Sequence, residues 1–106
     1  MSIRVAIVED QREVREGLSF LISESSGFVC VAQCAPAEEA LEVIPSKAPD
    51  VTLMDVQLPG MSGVDCIQEL KADLPRSQIM MLTIFEDPER IFGSLKAGAT
   101  GSSWSF

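Results

Sequence analysis

The 106-residue sequence contains no histidine. Without an imidazole, the chain cannot build a Ser-His-Asp or Cys-His catalytic site, bind zinc or haem through histidine, or carry a phosphohistidine. No apolar run approaches the roughly 18 residues that a membrane-spanning helix needs. The N-terminal segment has Arg4 and a short apolar run, but not the length or the cleavage site of a signal peptide. The cytoplasm is therefore the expected location.

Basic residues are also scarce. Eight Lys and Arg side chains stand against 16 Asp and Glu side chains, which gives a formal net charge of −8. Because affinity for nucleic acids comes mainly from basic groups on phosphates, we do not expect this domain to bind DNA or RNA directly. The same charge argues against binding to an anionic membrane surface. The length predicts one domain over residues 1–106.

The three cysteines are an odd number without C-x-x-C spacing, which does not predict a disulfide framework. If Cys30 and Cys34 share one strand, their Cα atoms lie about 13 Å apart, because a strand rises about 3.3 Å per residue. That separation is too large for a bridge. We expect Cys30, Cys34 and Cys66 to be reduced and buried.

Apolar runs alternate with amphipathic segments along the chain. The runs predict buried strands at 3–8, 28–32, 51–54 and 79–82. Helical spacing predicts helices at about 12–23, from Pro36 to Ile44, from Val64 to Leu74, and from Pro88 to a stop at Gly98. This order is typical of an α/β fold with a parallel sheet and helices on both of its faces. Right-handed crossovers bring the carboxyl ends of the strands to one edge, where such sheets bind ligands.

Polar residues follow three of the predicted strands at that edge. Glu9 and Asp10 follow the first strand, Asp55 the third and Thr83 the fourth. Carboxylates that lie close together repel one another, and a hard cation such as Mg²⁺ relieves the repulsion. An aspartate beside Mg²⁺ can act as a nucleophile towards phosphorus, and a threonine hydroxyl can bond a phosphoryl oxygen. In the alternative interpretation the acids only cap turns, as Asp10 would for the first helix.

Four motifs resemble the receiver domains of bacterial two-component response regulators. They are the Glu9-Asp10 pair, the run Asp-Val-Gln-Leu-Pro-Gly-Met-Ser-Gly at 55–63, the Leu82-Thr83 strand end, and Lys-Ala-Gly-Ala-Thr-Gly at 96–101. The resemblance spans residues 3 to about 101, and is greatest to receivers that carry a helix-turn-helix output domain. It implies a flavodoxin-like, doubly wound parallel sheet with strand order 2-1-3-4-5.

The resemblance also implies roles for individual residues. Asp55 matches the phosphoacceptor, which takes a phosphoryl group from the phosphohistidine of a partner histidine kinase. Asp10 matches the main Mg²⁺ carboxylate, Glu9 its neighbour that acts through water, and Gln57 the position whose backbone carbonyl completes the metal site. Thr83 matches the hydroxyl that switches onto the phosphoryl group. The implied function is signal transduction to an output, expected to be transcription, by a domain that is not an enzyme but assists its own phosphorylation.

The end of the sequence departs from the family pattern. By register, Ser105 stands where the family has a phosphate-binding lysine, and Ser102 stands where an aromatic residue is common. We therefore expect an altered fifth strand, no fifth helix, no output domain in this chain, and weakened coupling between the phosphoryl group and Thr83. Without a fifth helix one apolar face of the sheet would be open, which predicts self-association unless Trp104 and Phe106 fill it.

Three other functions compete with the phosphoacceptor interpretation. A degenerate receiver that acts only as a protein-interaction module is favoured by the serine at the lysine position. A haloacid-dehalogenase-like phosphatase needs Asp-x-Asp at the nucleophile, but Gln57 stands two residues after Asp55. A flavodoxin-like electron carrier needs a phosphate-binding loop rich in Ser, Thr and Gly after the first strand, and none is present there.

Overall fold

The computed structural model describes residues 2–35, 37–55, 63–82 and 88–99, in which strands and helices alternate. The elements are β1 (Ile3–Val8), α1 (Arg12–Glu24), β2 (Phe28–Cys34), α2 (Ala37–Lys47), β3 (Val51–Asp55), α3 (Gly63–Asp73), β4 (Gln78–Leu82) and α4 (Pro88–Ala99). The strands form one parallel sheet in the order β2-β1-β3-β4. The predicted flavodoxin-like α/β fold is confirmed, while the residues predicted to form a fifth strand lie outside the described ranges.

The core consists of two layers, one on each face of the sheet, because successive side chains of a strand point to opposite faces. In β1, Val5 and Ile7 pack on the side of α1 and α4, whereas Ala6 and Val8 pack on the side of α2 and α3. All four side chains are fully buried. Within the described part of the chain, no helix has the length and apolar character needed to cross a bilayer.

Most predicted boundaries differ from the observed ones by a few residues; for example, α2 ends at Lys47 rather than at Ile44. β2 continues to Cys34 instead of ending at residue 32, although Gln33 is exposed, because β2 stays paired with β1 past an irregularity between Val5 and Ala6. α4 continues to Ala99, past the predicted stop at Gly98.

The cysteines match the prediction of reduced thiols. Cys30 and Cys34 both lie on β2, Cys66 lies on α3, and none of the three belongs to a disulfide. Cys34 and Cys66 are completely buried, whereas Cys30 is half-buried. Burial raises the pKa of the Cys34 thiol and of the Cys66 thiol to about 11. Both thiols therefore stay protonated at neutral pH and behave as small apolar groups.

Helix α4 covers the face of the sheet that also carries α1. Its side chains Ile91, Phe92 and Leu95 are buried in the same layer as those of α1. The Phe92 ring meets the Phe28 ring of β2 edge-to-face, with 5.6 Å between the ring centroids. On this face the described apolar side chains of the sheet are therefore covered by α4, and self-association stays a prediction.

Gly17 sets how closely α4 approaches α1. A Cβ atom on Gly17 would lie 2.7 Å from Cγ of Pro88, the first residue of α4. The proline ring cannot rotate away, so any larger residue at position 17 forces the two helices apart. Only glycine fits this contact without moving a backbone.

Replacing Gly17 by alanine is expected to lower the free energy of unfolding by about 1 kcal/mol, because the steric cost exceeds the gain in helix propensity. Gly93→Ala is the matched control, since a Cβ at exposed Gly93 meets no atom within 4 Å. That substitution should raise the free energy of unfolding by about 0.5–1 kcal/mol. Urea denaturation of both variants measures whether each substitution raises or lowers the free energy of unfolding. Stabilisation by Gly17→Ala would show that α4 is not seated against α1 in this way.

Candidate functional site

The carboxyl ends of β1 and β3 place two of the predicted site residues side by side. Val8 pairs with Met54, so Glu9 and Asp55 are the next residues on two neighbouring parallel strands. Asp55 also pairs with Leu82, the last residue of β4. Thr83 follows Leu82 directly in the sequence, but Thr83 and Gln57 lie outside the described residues.

Glu9 is a buried carboxyl group with only 4% of its surface exposed. Its backbone N–H donates to the carbonyl of Cys34 at 3.0 Å, which attaches the residue to the end of β2. Its side-chain Oε2 accepts a hydrogen bond from the backbone N–H of Gln11 at 2.9 Å. These two bonds fix the backbone and the side chain of Glu9 independently.

The environment of Glu9 disfavours its charged form. Burial, the negative charge of Asp55 and a side-chain hydrogen bond with Asp55 raise the pKa of Glu9 to about 7, and burial has the largest effect. The hydrogen bonds from the backbone of Gln11 and Asp10 oppose this rise in pKa but do not cancel it. Near neutral pH, Glu9 therefore partly retains its proton.

Asp10 is exposed, in contrast to Glu9. The N-cap residue of α1 is Gln11, and no side-chain hydrogen bond caps the helix. The alternative in which Asp10 serves as a helix cap is thus not supported. Of the three predicted carboxylates, Glu9 and Asp55 are in contact, and no three His, Cys, Asp or Glu residues are grouped to hold a metal ion within the described residues.

Arg15 is a residue of this region that the sequence analysis did not single out. Its Nη1 donates to the backbone carbonyl of Glu9 at 2.9 Å and lies 3.5 Å from the carbonyl of Asp10. The sequence signal is a basic residue five positions after Asp10, within the first two turns of α1. The contacts of Arg15 could not be predicted from the sequence, because its hydrogen-bond acceptors are backbone atoms.

Two other features lie away from this site. Lys96 is exposed on α4, with its Nζ 5.6 Å from the centroid of the Phe92 ring. A cavity of about 350 Å³ lies where β3 and β4 begin, at the edge of the sheet opposite to Glu9. The hydroxyl of Ser77 in its wall donates to the carbonyl of Pro49 at 2.8 Å, so this polar group is already satisfied.

Comparison with known proteins points to one family. The family model described as response regulator receiver domain matches residues 5–102. The chain is 34% identical over 99 residues to the uncharacterized transcriptional regulatory protein YxjL of Bacillus subtilis strain 168, a match that covers 93% of the chain and 45% of YxjL. It is 35% identical over 98 residues to the response regulator protein VraR of Staphylococcus aureus, covering 92% of the chain and 47% of VraR. The chain thus spans about half the length of these relatives.

Solved structures give the same result. A two-component response regulator of the LuxR family from Aurantimonas sp. SI85-9A1 superposes with a TM-score of 0.73 and 28% identity. This superposition covers 92% of the chain and 70% of that protein. Sequence and fold therefore agree on the family.

Proposed function

Because the chain belongs to the response regulator receiver domain family, we propose that it is a phosphoacceptor domain in which Asp55 receives a phosphoryl group from a histidine kinase. The proposed reaction depends on Mg²⁺, and its outcome is the control of a transcriptional output. The names of the relatives YxjL and VraR, a transcriptional regulatory protein and a response regulator, support this output. The net charge of −8 supports an indirect role, in which DNA binding belongs to a different domain.

The observation that carries the proposal is the contact between Glu9 and Asp55 at the carboxyl edge of the sheet. A buried carboxyl group that lies beside a second carboxyl group forms a site to which a cation adds favourably, because the cation offsets the repulsion between them. Asp55 is only half-buried, so a phosphodonor can reach it, whereas Glu9 beside it is shielded from solvent. The pair therefore combines an accessible nucleophile with a buried partner.

The oxygen donors at this edge fit Mg²⁺. Asp55 and Glu9 supply carboxylate oxygens in contact with each other, and exposed Asp10 adds a third carboxylate next in sequence. Mg²⁺ binds hard oxygen ligands and keeps several waters, so it does not need three protein side chains around it. When bound, it neutralises negative charge on the carboxylates and on the incoming phosphoryl group.

In the proposed transfer, a carboxylate oxygen of Asp55 attacks the phosphorus of the kinase phosphohistidine. A C–O–P bond forms on Asp55 while the P–N bond to the imidazole breaks, and the released imidazole nitrogen keeps the electron pair. Glu9 stays in place through its bonds to Cys34 and Gln11. We propose that the hydroxyl of Thr83 then donates a hydrogen bond to an oxygen of the new phosphoryl group.

Intact mass spectrometry after incubation with a small acyl phosphate tests this proposal. With Mg²⁺ present, we expect the mass to rise by one phosphoryl group, and with excess chelator we expect no rise. A folded protein, judged by circular dichroism, that gains no mass with Mg²⁺ would overturn the phosphoacceptor. It would instead favour the degenerate receiver that acts as an interaction module.

A further inference from the structure

Arg15 contacts the acidic loop, which we define as residues 9–11. Its guanidinium bridges two successive backbone carbonyls, with Nη1 2.9 Å from the oxygen of Glu9 and 3.5 Å from that of Asp10. Arg15 is half-buried on α1, and its charge also acts on the neighbouring thiol of Cys34. It therefore lies behind the acidic loop, within the fold.

We propose that Arg15 is a positioning residue for Mg²⁺ binding, which holds the acidic loop in one arrangement beside Asp55. This inference rests on the proposed function, because the metal it serves is the one proposed above. Residues that orient metal ligands from behind typically change metal affinity by about 10–100-fold when they are removed.

The hydrogen bonds of the loop show what Arg15 adds. The N–H of Glu9 is bonded to Cys34, and the N–H of Gln11 is bonded to the side chain of Glu9. These bonds engage two donors and one carboxylate oxygen of the loop, but neither engages the carbonyl of Glu9 or of Asp10. Arg15 supplies a donor to these carbonyls, so its removal leaves the two peptide groups beside Asp10 held only by the hydrogen bonds from their N–H groups to the side chain of Glu9.

Two effects of Arg15 on the metal site have opposite signs. Its positive charge repels a cation, so an effect through charge alone predicts tighter Mg²⁺ binding once the charge is removed. An effect through the position of the loop predicts weaker binding, because the ligands must first be ordered. The sign of the change in Mg²⁺ affinity therefore separates a positioning role from a simple charge.

Isothermal titration calorimetry with MgCl₂ on Arg15→Met, Arg15→Lys and Arg12→Met is the decisive experiment. We expect the Kd for Mg²⁺ to rise about ten-fold in Arg15→Met and to recover in part in Arg15→Lys, which keeps one donor. Arg12→Met makes the same change of charge on the same helix. Because Arg12 is 81% exposed and pairs with Glu16, its variant should change the Kd less than about two-fold.

An unchanged or tighter Kd in Arg15→Met would overturn the positioning role, even if the variant unfolds at a lower temperature. A wild-type protein that binds no Mg²⁺ would overturn the proposed function. In that case amide hydrogen exchange in the metal-free protein still tests whether Arg15 holds the acidic loop in one arrangement. We expect the Gln11 amide to exchange about ten-fold faster in Arg15→Met but not in Arg12→Met, and equal rates in the two variants would overturn the inference.

Discussion

Replacing Asp55 by asparagine is expected to abolish phosphorylation by a small acyl phosphate while making the metal-free protein more stable. Asparagine has the shape of aspartate but no anionic oxygen to attack phosphorus, so no C–O–P bond can form. The same change removes the negative charge that raises the pKa of Glu9. We expect the free energy of unfolding at pH 8 to increase by about 1 kcal/mol, because one like-charge contact is removed.

The two readouts of Asp55→Asn control for each other. A variant that is more stable than the wild type and cannot be phosphorylated has lost a chemical group, not its fold. Asp73→Asn is a matched control, because this substitution makes the same change of charge away from the site. Asp73 is exposed at the end of α3. It should be phosphorylated like the wild type. Phosphorylation that persists in Asp55→Asn would place the phosphoacceptor elsewhere.

Replacing Glu9 by glutamine is expected to remove most of a pH dependence of stability. In the folded protein the pKa of Glu9 is about 7, above its ordinary value of 4.5. The folded state therefore favours the protonated carboxyl, and this contribution is complete below pH 4.5 and is lost as the pH rises through 7. In the absence of divalent cations, we expect the ionisation of Glu9 to lower the free energy of unfolding of the wild type by about 2 kcal/mol between pH 4.5 and pH 8.

Glutamine keeps the oxygen that accepts from Gln11 and has an N–H that can donate to Asp55, but it cannot ionise. At pH 8 Glu9→Gln should therefore be more stable than the wild type by about 2 kcal/mol, and at pH 4.5 the difference should nearly vanish. Urea denaturation in chelator at several pH values measures this. Parallel profiles for the two proteins would show that Glu9 is not the group whose ionisation is suppressed.

Local patterns in the sequence were sufficient to predict the elements and the edge of the sheet. The apolar run at 3–8 and the buried run at 51–54 became β1 and β3, and the acids that follow them lie side by side because parallel strands end at one edge. The expected closeness of Glu9 and Asp55 follows from this shared edge, whereas the order of the strands was predicted from the family resemblance. Roles for Asp10, Gln57 and Thr83 depended on the family resemblance and remain predictions.

The features that could not be predicted from the sequence depend on contacts between distant residues or on backbone atoms. The spacing of Ile91 and Leu95 showed that α4 has an apolar side, but not which face of the sheet that side would cover. Arg15 gave no motif signal, because carbonyl oxygens do not appear in a sequence. The different environments of Glu9 and Asp10, adjacent in the chain, depend on how the loop turns after β1.

The position of α4 has a consequence for how the sheet can grow. Because connections between parallel strands are almost always right-handed, a further parallel strand beyond β4 would need its connecting helix on the same side of the sheet as α3. α4 lies on the other side, where it packs with α1. A strand that followed α4 and joined β4 would complete a left-handed crossover, a connection found in only about 2% of cases. Helix α4 can thus either cover the face that carries α1 or connect β4 to a further strand, but not both. Gly17 favours the position on the α1 face, because it allows the close contact between α1 and Pro88 of α4.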